Sequence, residues 1–368
     1  MKNTFGQSVL TTVFGESHGD AIGVIIDGIS PGITVDNDFI AYQLSKRRPQ
    51  GKTDTPRVEK DNFQILSGVF EGKTTGTPIA IVIPNENTKS SDYNYGVARP
   101  SHADYTAYMK YHGYEDYRGG GHFSGRVTAA LVAGGAIAIS ALKNLGISVG
   151  THILSCGGAY DTSFDKAKNV SDAVLSIQNK VFPVISDEKA DEIIEKIENA
   201  AKKKDSIGGI IETAIVGMPA GVGEPWFDSI ESILSHALFS IGGIKGVEFG
   251  LGIDFANSLG SEINDQFTCE NGSITTKTNN NGGINGGITN GMPITFKCAV
   301  KPTPSIGKAQ DTVNFLTKEN TKLEIKGRHD PAIIRRICVV VDSVCALALC
   351  DILASRYGTD VFLKGFNN

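Results

Sequence analysis

Residues 127–145 read V-T-A-A-L-V-A-G-G-A-I-A-I-S-A-L-K-N-L, apolar around the whole helical circumference and rich in alanine and glycine. A helix of that composition has no face for water and must be packed closely on all sides. A second apolar stretch, Ile333 to Leu353, is interrupted by Arg335, Arg336, Asp342 and Asp351, so it reads as a buried helix rather than a membrane span. Any fold for this chain has to surround two such helices.

The rest of the chain supplies material to do so. Residues 21–34 read as a strand and a Pro-Gly turn, and 37–48 as a short helix opened by Asp36 or Asn37. Segments 62–70 and 77–84 read as the strands of a hairpin. Amphipathic patterns predict helices over 187–204 and 228–239, the second capped by Asp228, and a last helix over 331–357. Residues 259–281 are polar and Asn- and Thr-rich, which predicts a mobile surface loop. No composition shift marks a domain linker, although 368 residues allow more than one domain.

Charge narrows the function classes. A net charge of -5 argues against a general nucleic-acid binder. Arginines nevertheless gather beside glycines and histidines, at Arg47, Arg48, Arg99, Arg118, Arg126 and Arg328, which points to a small anion as ligand. The six cysteines form no Cys-x-x-Cys pair, so neither structural zinc nor a disulfide framework is expected, and a reducing cytoplasm fits. Residues 1–15 lack the apolar core of a signal peptide.

Five short motifs have the residue types for chemistry. Gly15-Glu16-Ser17-His18-Gly19 sets a histidine among small residues in a turn, open to proton transfer; the plain alternative is a turn histidine bonded to backbone. In Arg99-Pro100-Ser101-His102-Ala103-Asp104, Pro100 fixes the directions of its neighbours; the alternative is a helix cap beside an incidental histidine. Gly119-Gly120-Gly121-His122-Phe123-Ser124-Gly125-Arg126 lets backbone approach a ligand at a helix start, or is simply a turn capped by Ser124. Its spacing matches neither a Walker A loop nor a dinucleotide fingerprint. Gly282 to Gly291 suits a backbone wrapped around a flat or anionic ligand, and equally a glycine-rich hairpin; Lys301-Pro302-Thr303-Pro304-Ser305 follows the next strand. In Gly327-Arg328-His329-Asp330-Pro331, Asp330 reads as an N-cap with Pro331 as first helical residue, and a carboxylate there could also act as a base. One echo runs through the chain: Gly76-Thr77-Pro78-Ile79 precedes Arg99 to Asp104 as Gly291-Met292-Pro293-Ile294 precedes Arg328 to Asp330. If it reflects duplication, one site is built from two related halves.

Taken together, FGESHG, KRRPQG, RPSHADYT, DYRGGG, GGINGGITNGMPI, KPTPSI and KGRHDP, in this order from Phe5 to about Asp360, resemble chorismate synthase. The resemblance implies an α+β fold: a single β-α-β sandwich domain over 1–368, with central helices between two antiparallel sheets, assembled as a homotetramer. It implies anti-1,4-elimination of phosphate from 5-enolpyruvylshikimate 3-phosphate to give chorismate, the last step of the shikimate pathway to aromatic amino acids. Reduced FMN is required without net redox change. By the same resemblance His18 protonates the leaving phosphate, His102 serves the reduced flavin, and Asp330 relays the C6 proton through flavin N5. Arg47, Arg48, Arg126 and Arg328 match positions around substrate and cofactor phosphates, NADP included. His122, Phe123, Ser124, Gly242, Gly243, Gly286, Lys301, Pro302, Thr303, Pro304, Ser305 and Arg328 match flavin contacts. No metal is implied. NADPH enters only indirectly, as reductant, and with no added domain an external flavin reductase is expected as partner; neither nucleic acid nor membrane is.

One departure stands out. Where the family commonly reads Gly-Gly-Gly-Arg-Ser-Ser-Ala-Arg-Glu, this chain has His122, Phe123 and Val127 in place of the Arg, one Ser and the Glu. Side-chain contacts at those positions are affected, while backbone contacts can survive. Two other readings stay open on the residues alone: a phosphate-binding lyase without flavin, and a non-catalytic nucleotide-binding or regulatory protein. The second has no use for His18, His102 and Asp330.

Overall fold

The computed structural model describes residues 2–50, 54, 60–86, 95–325 and 330–366. The first half opens with β1 (Thr4–Phe5), β2 (Leu10–Gly15), β3 (Ala21–Asp27), α1 (Asn37–Arg47) and β4 (Gln64–Ser67). A tight hairpin, β5 (Val69–Phe70) and β6 (Lys73–Thr74), leads to β7 (Ile79–Pro84), then α2 (Asp104–Tyr111) and α3 (Thr128–Lys143). The sheet order is β1-β2-β3-β7-β4, antiparallel throughout. In β7 the alternation of a half-buried strand is plain: Ile79, Ile81 and Ile83 are buried, while Ala80 and Val82 lie on the other face. Asp36 caps α1, accepting from the backbone N–H groups of Asp38 (2.9 Å) and Phe39 (3.2 Å).

The second half runs β8 (Ser148–Cys156), β9 (Ala159–Tyr160), α4 (Val170–Gln178), α5 (Asp187–Lys202), β10 (Gly209–Val216), α6 (Ile230–Phe239) and β11 (Ile244–Phe249). The one-turn α7 (Gly260–Ile263) follows, then the hairpins β12 (Phe267–Glu270) with β13 (Ser273–Thr276) and β14 (Ile284–Asn285) with β15 (Ile288–Thr289). Strand β16 (Ile294–Val300), the hairpin β17 (Gln310–Asn314) with β18 (Glu319–Leu323), α8 (Ile334–Tyr357) and the one-turn α9 (Val361–Lys364) complete it. Read from its far edge, the second sheet is β9-β8-β10-β16-β11. Both sheets therefore have a two-residue edge strand, then two strands, then the strand opened by Gly-x-Pro-Ile, then the strand that precedes it. In each half a helix joins the third and fifth of these strands, and a long apolar helix follows the fourth. Each pairing of the fourth with the fifth strand carries one register break, near the start of β7 between Ile65 and Ser67 and near the end of β16 between Ile244 and Gly246. Apart from the edge strands, β1 preceding β2 but β9 following β8, the sequence echo thus marks two copies of one four-stranded topology.

The two apolar helices are the middle of the sandwich. Helix α3 packs on β3 and β7 of the first sheet and on β8 of the second, and α8 packs on β8, β10, α1 and α3. Adjacent glycines make the close approaches possible. A Cβ on Gly134 would lie 2.9 Å from Ile26 of the first sheet, and one on Gly135 would lie 2.3 Å from the Cβ of Ser343 in α8. Both helices are long and apolar enough to cross a membrane by composition alone, but their apolar windows are 72% and 100% buried inside the fold. Cys338 and Cys345 face the core together, as their spacing predicts.

Two local expectations are corrected, and the surface segment 259–281 carries local structure. Ser229, not Asp228, caps α6, its side chain accepting from Ser232 N (3.1 Å). Helix α8 begins at Ile334 without a side-chain cap, so neither Asp330 nor Pro331 opens it. Residues 259–281 contain α7 and a hairpin; Asp265 accepts from Asn280 N (2.7 Å), Asn281 N (2.8 Å) and Thr278 Oγ1 (2.7 Å). The polarity that suggests a loop is spent on that carboxylate.

Candidate active site

Strand β2 ends at Gly15, and the turn that follows carries His18 into a tight fit with the loop after Tyr117. Gly119, Gly120 and Gly121 all have positive φ (61°, 83° and 54°), which only glycine adopts freely. A Cβ on Gly119 would lie 2.1 Å from His18 Nδ1, so this glycine lies directly against the imidazole. His18 is consequently 8% exposed, not the accessible turn histidine its small neighbours suggest. Two bonds lock the loops together: Ser17 N donates to Gly121 O (3.0 Å), and His122 Nδ1 donates to Gly15 O (2.8 Å). His122 is thus a strut between loops. Phe123 is half exposed and sits edge-on to Tyr111. Ser124 accepts from Arg126 N (3.3 Å) at the entry to α3.

The second histidine is held across the two halves of the chain. Asp104 clamps Arg99 through Nε (2.8 Å) and Nη2 (2.6 Å), shaping the turn. His102 Nδ1 donates to Pro100 O (3.2 Å), which leaves Nε2 to accept from Ser305 Oγ (3.0 Å). Lys301 Nζ donates to Ser101 O (2.8 Å). Burial, and after it the Arg99 charge, push the His102 pKa down to about 4, so the imidazole is neutral at pH 7. Gly120 lies beside Arg99, where an added Cβ would sit 3.6 Å from Nη2. The triple-glycine loop therefore touches both histidine-bearing motifs.

Beyond Lys301 the backbone turns on Gly243, whose carbonyl accepts from Lys301 N (2.9 Å). Gly243 has φ +108° and Ile333 packed against it, whereas a Cβ on Gly242 would meet nothing within 4 Å. Thr303 Oγ1 is buried without a hydrogen-bond partner among the described residues.

Arg47, Arg48 and Arg126 converge at the end of α1. Arg47 Nε donates to Thr128 Oγ1 (2.9 Å) and Nη2 to Gly125 O (2.7 Å). Arg126 Nε donates to Asn85 Oδ1 (3.0 Å) and Nη2 to Pro84 O (3.2 Å). All three guanidinium groups face the buried carboxylate of Asp61, with which Arg126 Nη1 is in direct contact. Asn85 also donates to Glu16 O and Gly19 O (both 2.9 Å), tying the arginines to the His18 turn. The first residues of α8 hold the same end of α1: Arg335 donates to Lys46 O (2.9 Å) and Arg48 O (2.7 Å), and Arg336 Nε to Arg47 O (2.7 Å). Arg336 Nη1 then donates to Asp330 Oδ2 (2.6 Å), which fixes Asp330 beside the cluster.

The fold thus brings together His18, His102, Asp330, Arg47, Arg48, Arg126, the 122–124 segment, Gly243 and the Lys301–Ser305 segment through a chain of contacts. It does not bring Gly286 to them. Gly286 turns the β14–β15 hairpin at the start of β16, while Lys301 follows its end, roughly 20 Å away for a strand of that length. Arg328 lies outside the described residues. Asp61, Asn85 and Arg336 escape the sequence reading: Asp61 and Asn85 belong to no motif, and Arg336 gives a signal only as a cation six residues after Asp330.

Known proteins resemble this chain along nearly its whole length. The family profile described as chorismate synthase matches residues 9–354. A chorismate synthase of Methanococcoides burtonii is 44% identical over 95% of this chain and 95% of its own. One from Lachnoclostridium phytofermentans is 47% identical over 96% of this chain and 95% of its own. A crystal structure of chorismate synthase superposes with a TM-score of 0.77 at 28% identity, covering 98% of this chain and 97% of the other. With site loops, duplicated sandwich and full-length similarity in agreement, the chain belongs to the chorismate synthase family.

Proposed function

We propose that the protein eliminates phosphate from 5-enolpyruvylshikimate 3-phosphate in the anti-1,4 sense to give chorismate, a carbon–oxygen lyase reaction run with reduced FMN. The observation that carries this reading is the triple-glycine loop, which lies on His18 at Gly119 and beside Arg99 of the His102 motif at Gly120, next to three arginines. The substrate is a polyanion, and an acidic protein holds it best where guanidinium groups are concentrated out of bulk water. His18 is assigned the proton given to the departing phosphate. Asp330, kept in place by Arg336, is assigned acceptance of the proton lost from C6.

The residues present suit a flavin mononucleotide. The unpartnered Thr303 hydroxyl needs a hydrogen bond, Gly242 faces open space, and Lys301 and Ser305 offer a cation and a second hydroxyl. Gly243, the 122–124 segment and Arg328 complete the proposed contacts. Reduced FMN, when bound, lends electron density to the substrate and takes it back, so the reaction has no net redox change. His102, uncharged and anchored through Pro100 and Ser305, presents a neutral donor–acceptor pair on this side.

We further assign the protein to a cytoplasmic homotetramer supplied with reduced flavin by a separate reductase. Trp226 and Phe227 are 85% and 91% exposed in the loop that touches the β14–β15 hairpin, which favours a subunit contact there and lets Gly286 serve a neighbouring subunit's site. The test is an anaerobic assay with chemically reduced FMN and 5-enolpyruvylshikimate 3-phosphate, following phosphate release and chorismate absorbance. Turnover is expected, and His18→Ala and His102→Ala should each lower it about 100- to 10,000-fold. No product at saturating reduced FMN, or unimpaired histidine variants, overturns the assignment.

A further inference from the structure

Asp61 meets the arginine cluster imperfectly. Its carboxylate is fully buried, and its backbone is left-handed at φ +50°, outside any strand. Oδ1 contacts Arg126, but Oδ2 lies 3.8 Å from Arg47 Nη1 and 3.7 Å from Arg48 Nε, beyond hydrogen-bonding distance. Oδ2 and Arg48 Nε are both buried without a hydrogen-bond partner among the described residues, although they face each other. Nor does Asp61 set the geometry of the other guanidiniums. Arg47 is fixed by Thr128 and Gly125, and Arg126 by Asn85 and Pro84. What Asp61 adds is one negative charge among three positive ones, counted among the described residues.

We propose that Asp61 is the resident counter-ion of an anion site built by Arg47, Arg48 and Arg126, and that a tetrahedral oxyanion displaces it. A planar carboxylate reaches one guanidinium well and leaves two at a distance. A phosphate group has more oxygens, spread in three dimensions, and satisfies several guanidinium forks at once. Because Asp61 lies outside the sheet, it yields by side-chain rotation without breaking strand pairing. That the displacing group is the phosphate of the substrate rests on the function proposed above; the anion site itself does not.

The experiment is calorimetric titration of the full-length, flavin-free protein with inorganic phosphate at constant ionic strength. Asp61→Asn, which tolerates a left-handed backbone, and Asp61→Gly, which relieves it, both remove the competing charge. Each is expected to bind phosphate on the order of tenfold more tightly than the parent chain. Arg48→Gln is expected to weaken binding by a similar factor. Unchanged or weaker binding in both Asp61 variants makes Asp61 a strut for the arginines and overturns the proposal, as does phosphate binding that ignores Arg48→Gln or is absent from every form. None of these readings needs flavin or turnover, so a protein inactive towards 5-enolpyruvylshikimate 3-phosphate but bound by phosphate in this pattern would sink the proposed function and leave the anion site standing.

Discussion

His102 Nε2 lies 3.0 Å from Ser305 Oγ, a bond between residues 203 positions apart that joins the two halves of the duplicated fold. With Nδ1 engaged by Pro100 O, the imidazole is held as one neutral tautomer, and its pKa of about 4 follows from burial and from the nearby Arg99 charge, with Lys301 adding to it. A bound polyanion offsets those cations, so ligand binding must raise this pKa. Histidine-selective NMR titration should find His102 uncharged down to about pH 5 in the free protein and protonated at higher pH once phosphate ligands are bound. A free-protein pKa near the ordinary value of about 6.5 would contradict the burial argument.

Gly119→Ala and Gly120→Ala separate backbone strain from the position of His18. Both glycines have positive φ, so each substitution costs roughly 1–2 kcal/mol of strain. Only at residue 119 does the new methyl collide with the imidazole, 2.1 Å from Nδ1; at residue 120 the nearest atom is 3.6 Å away. Turnover of Gly119→Ala should fall about 100-fold or more below that of Gly120→Ala, at similar melting temperatures. Equal activities would mean that the exact seat of His18 is unimportant.

What sequence could supply here was local pattern. Asp36 as cap, the alternating isoleucines of β7 and the featureless apolarity of α3 and α8 each dictate their element with little help from the rest of the chain. The Gly-x-Pro-Ile echo even marked the duplication, because it opens the equivalent strand in each sheet. The misses are contests settled by distant partners. Asp330-Pro331 has the form of a helix start, yet α8 begins later and the carboxylate goes to Arg336. The 259–281 segment lies on the surface as its polarity predicts, but its composition gives no sign that Asp265 gathers Asn280 and Asn281 around one carboxylate. Asp61 belongs to no motif, and only the folded chain sets it among three arginines. Ordered motifs name most residues of the candidate cluster; they could not show that β16 holds Gly286 away from Lys301 in one chain.

Asp330→Asn tests the proposed proton acceptor without the complication of a cap. The amide oxygen can still accept from Arg336 Nη1, so the variant should fold, although with both side chains only 16% exposed the lost charge should cost more than the ~1 kcal/mol of a surface ion pair. An amide is not a useful base, however. Turnover should drop about 100- to 10,000-fold while phosphate binding persists. A variant that folds and turns over normally would remove Asp330 from the chemistry.

His152 makes a stability prediction of opposite sign to that of His102. It is fully buried between Asp161, 3.0 Å from Nδ1, and Glu212, 3.0 Å from Nε2. Burial alone disfavours its charge, but the hydrogen bonds to Asp161 and Glu212 outweigh it and raise the pKa. The same carboxylates hold the chain around them, Glu212 accepting from Phe164 N (2.8 Å) and Asp161 from Ser186 N (2.9 Å). Because the folded pKa lies above the unfolded value of about 6.5, this contribution is complete below pH 6.5 and is lost as pH rises through the folded value. For His102 the folded pKa lies below the unfolded one, so stability falls as pH drops from about 6.5 towards about 4. Denaturant unfolding across pH 4 to 9 should therefore show both slopes, with the greatest stability near pH 6.5. His152→Ala should cost about 3–5 kcal/mol at pH 6.5, since it leaves two buried carboxylates without their cation, and should flatten the alkaline slope. A variant that keeps the full alkaline slope would assign the loss to other groups.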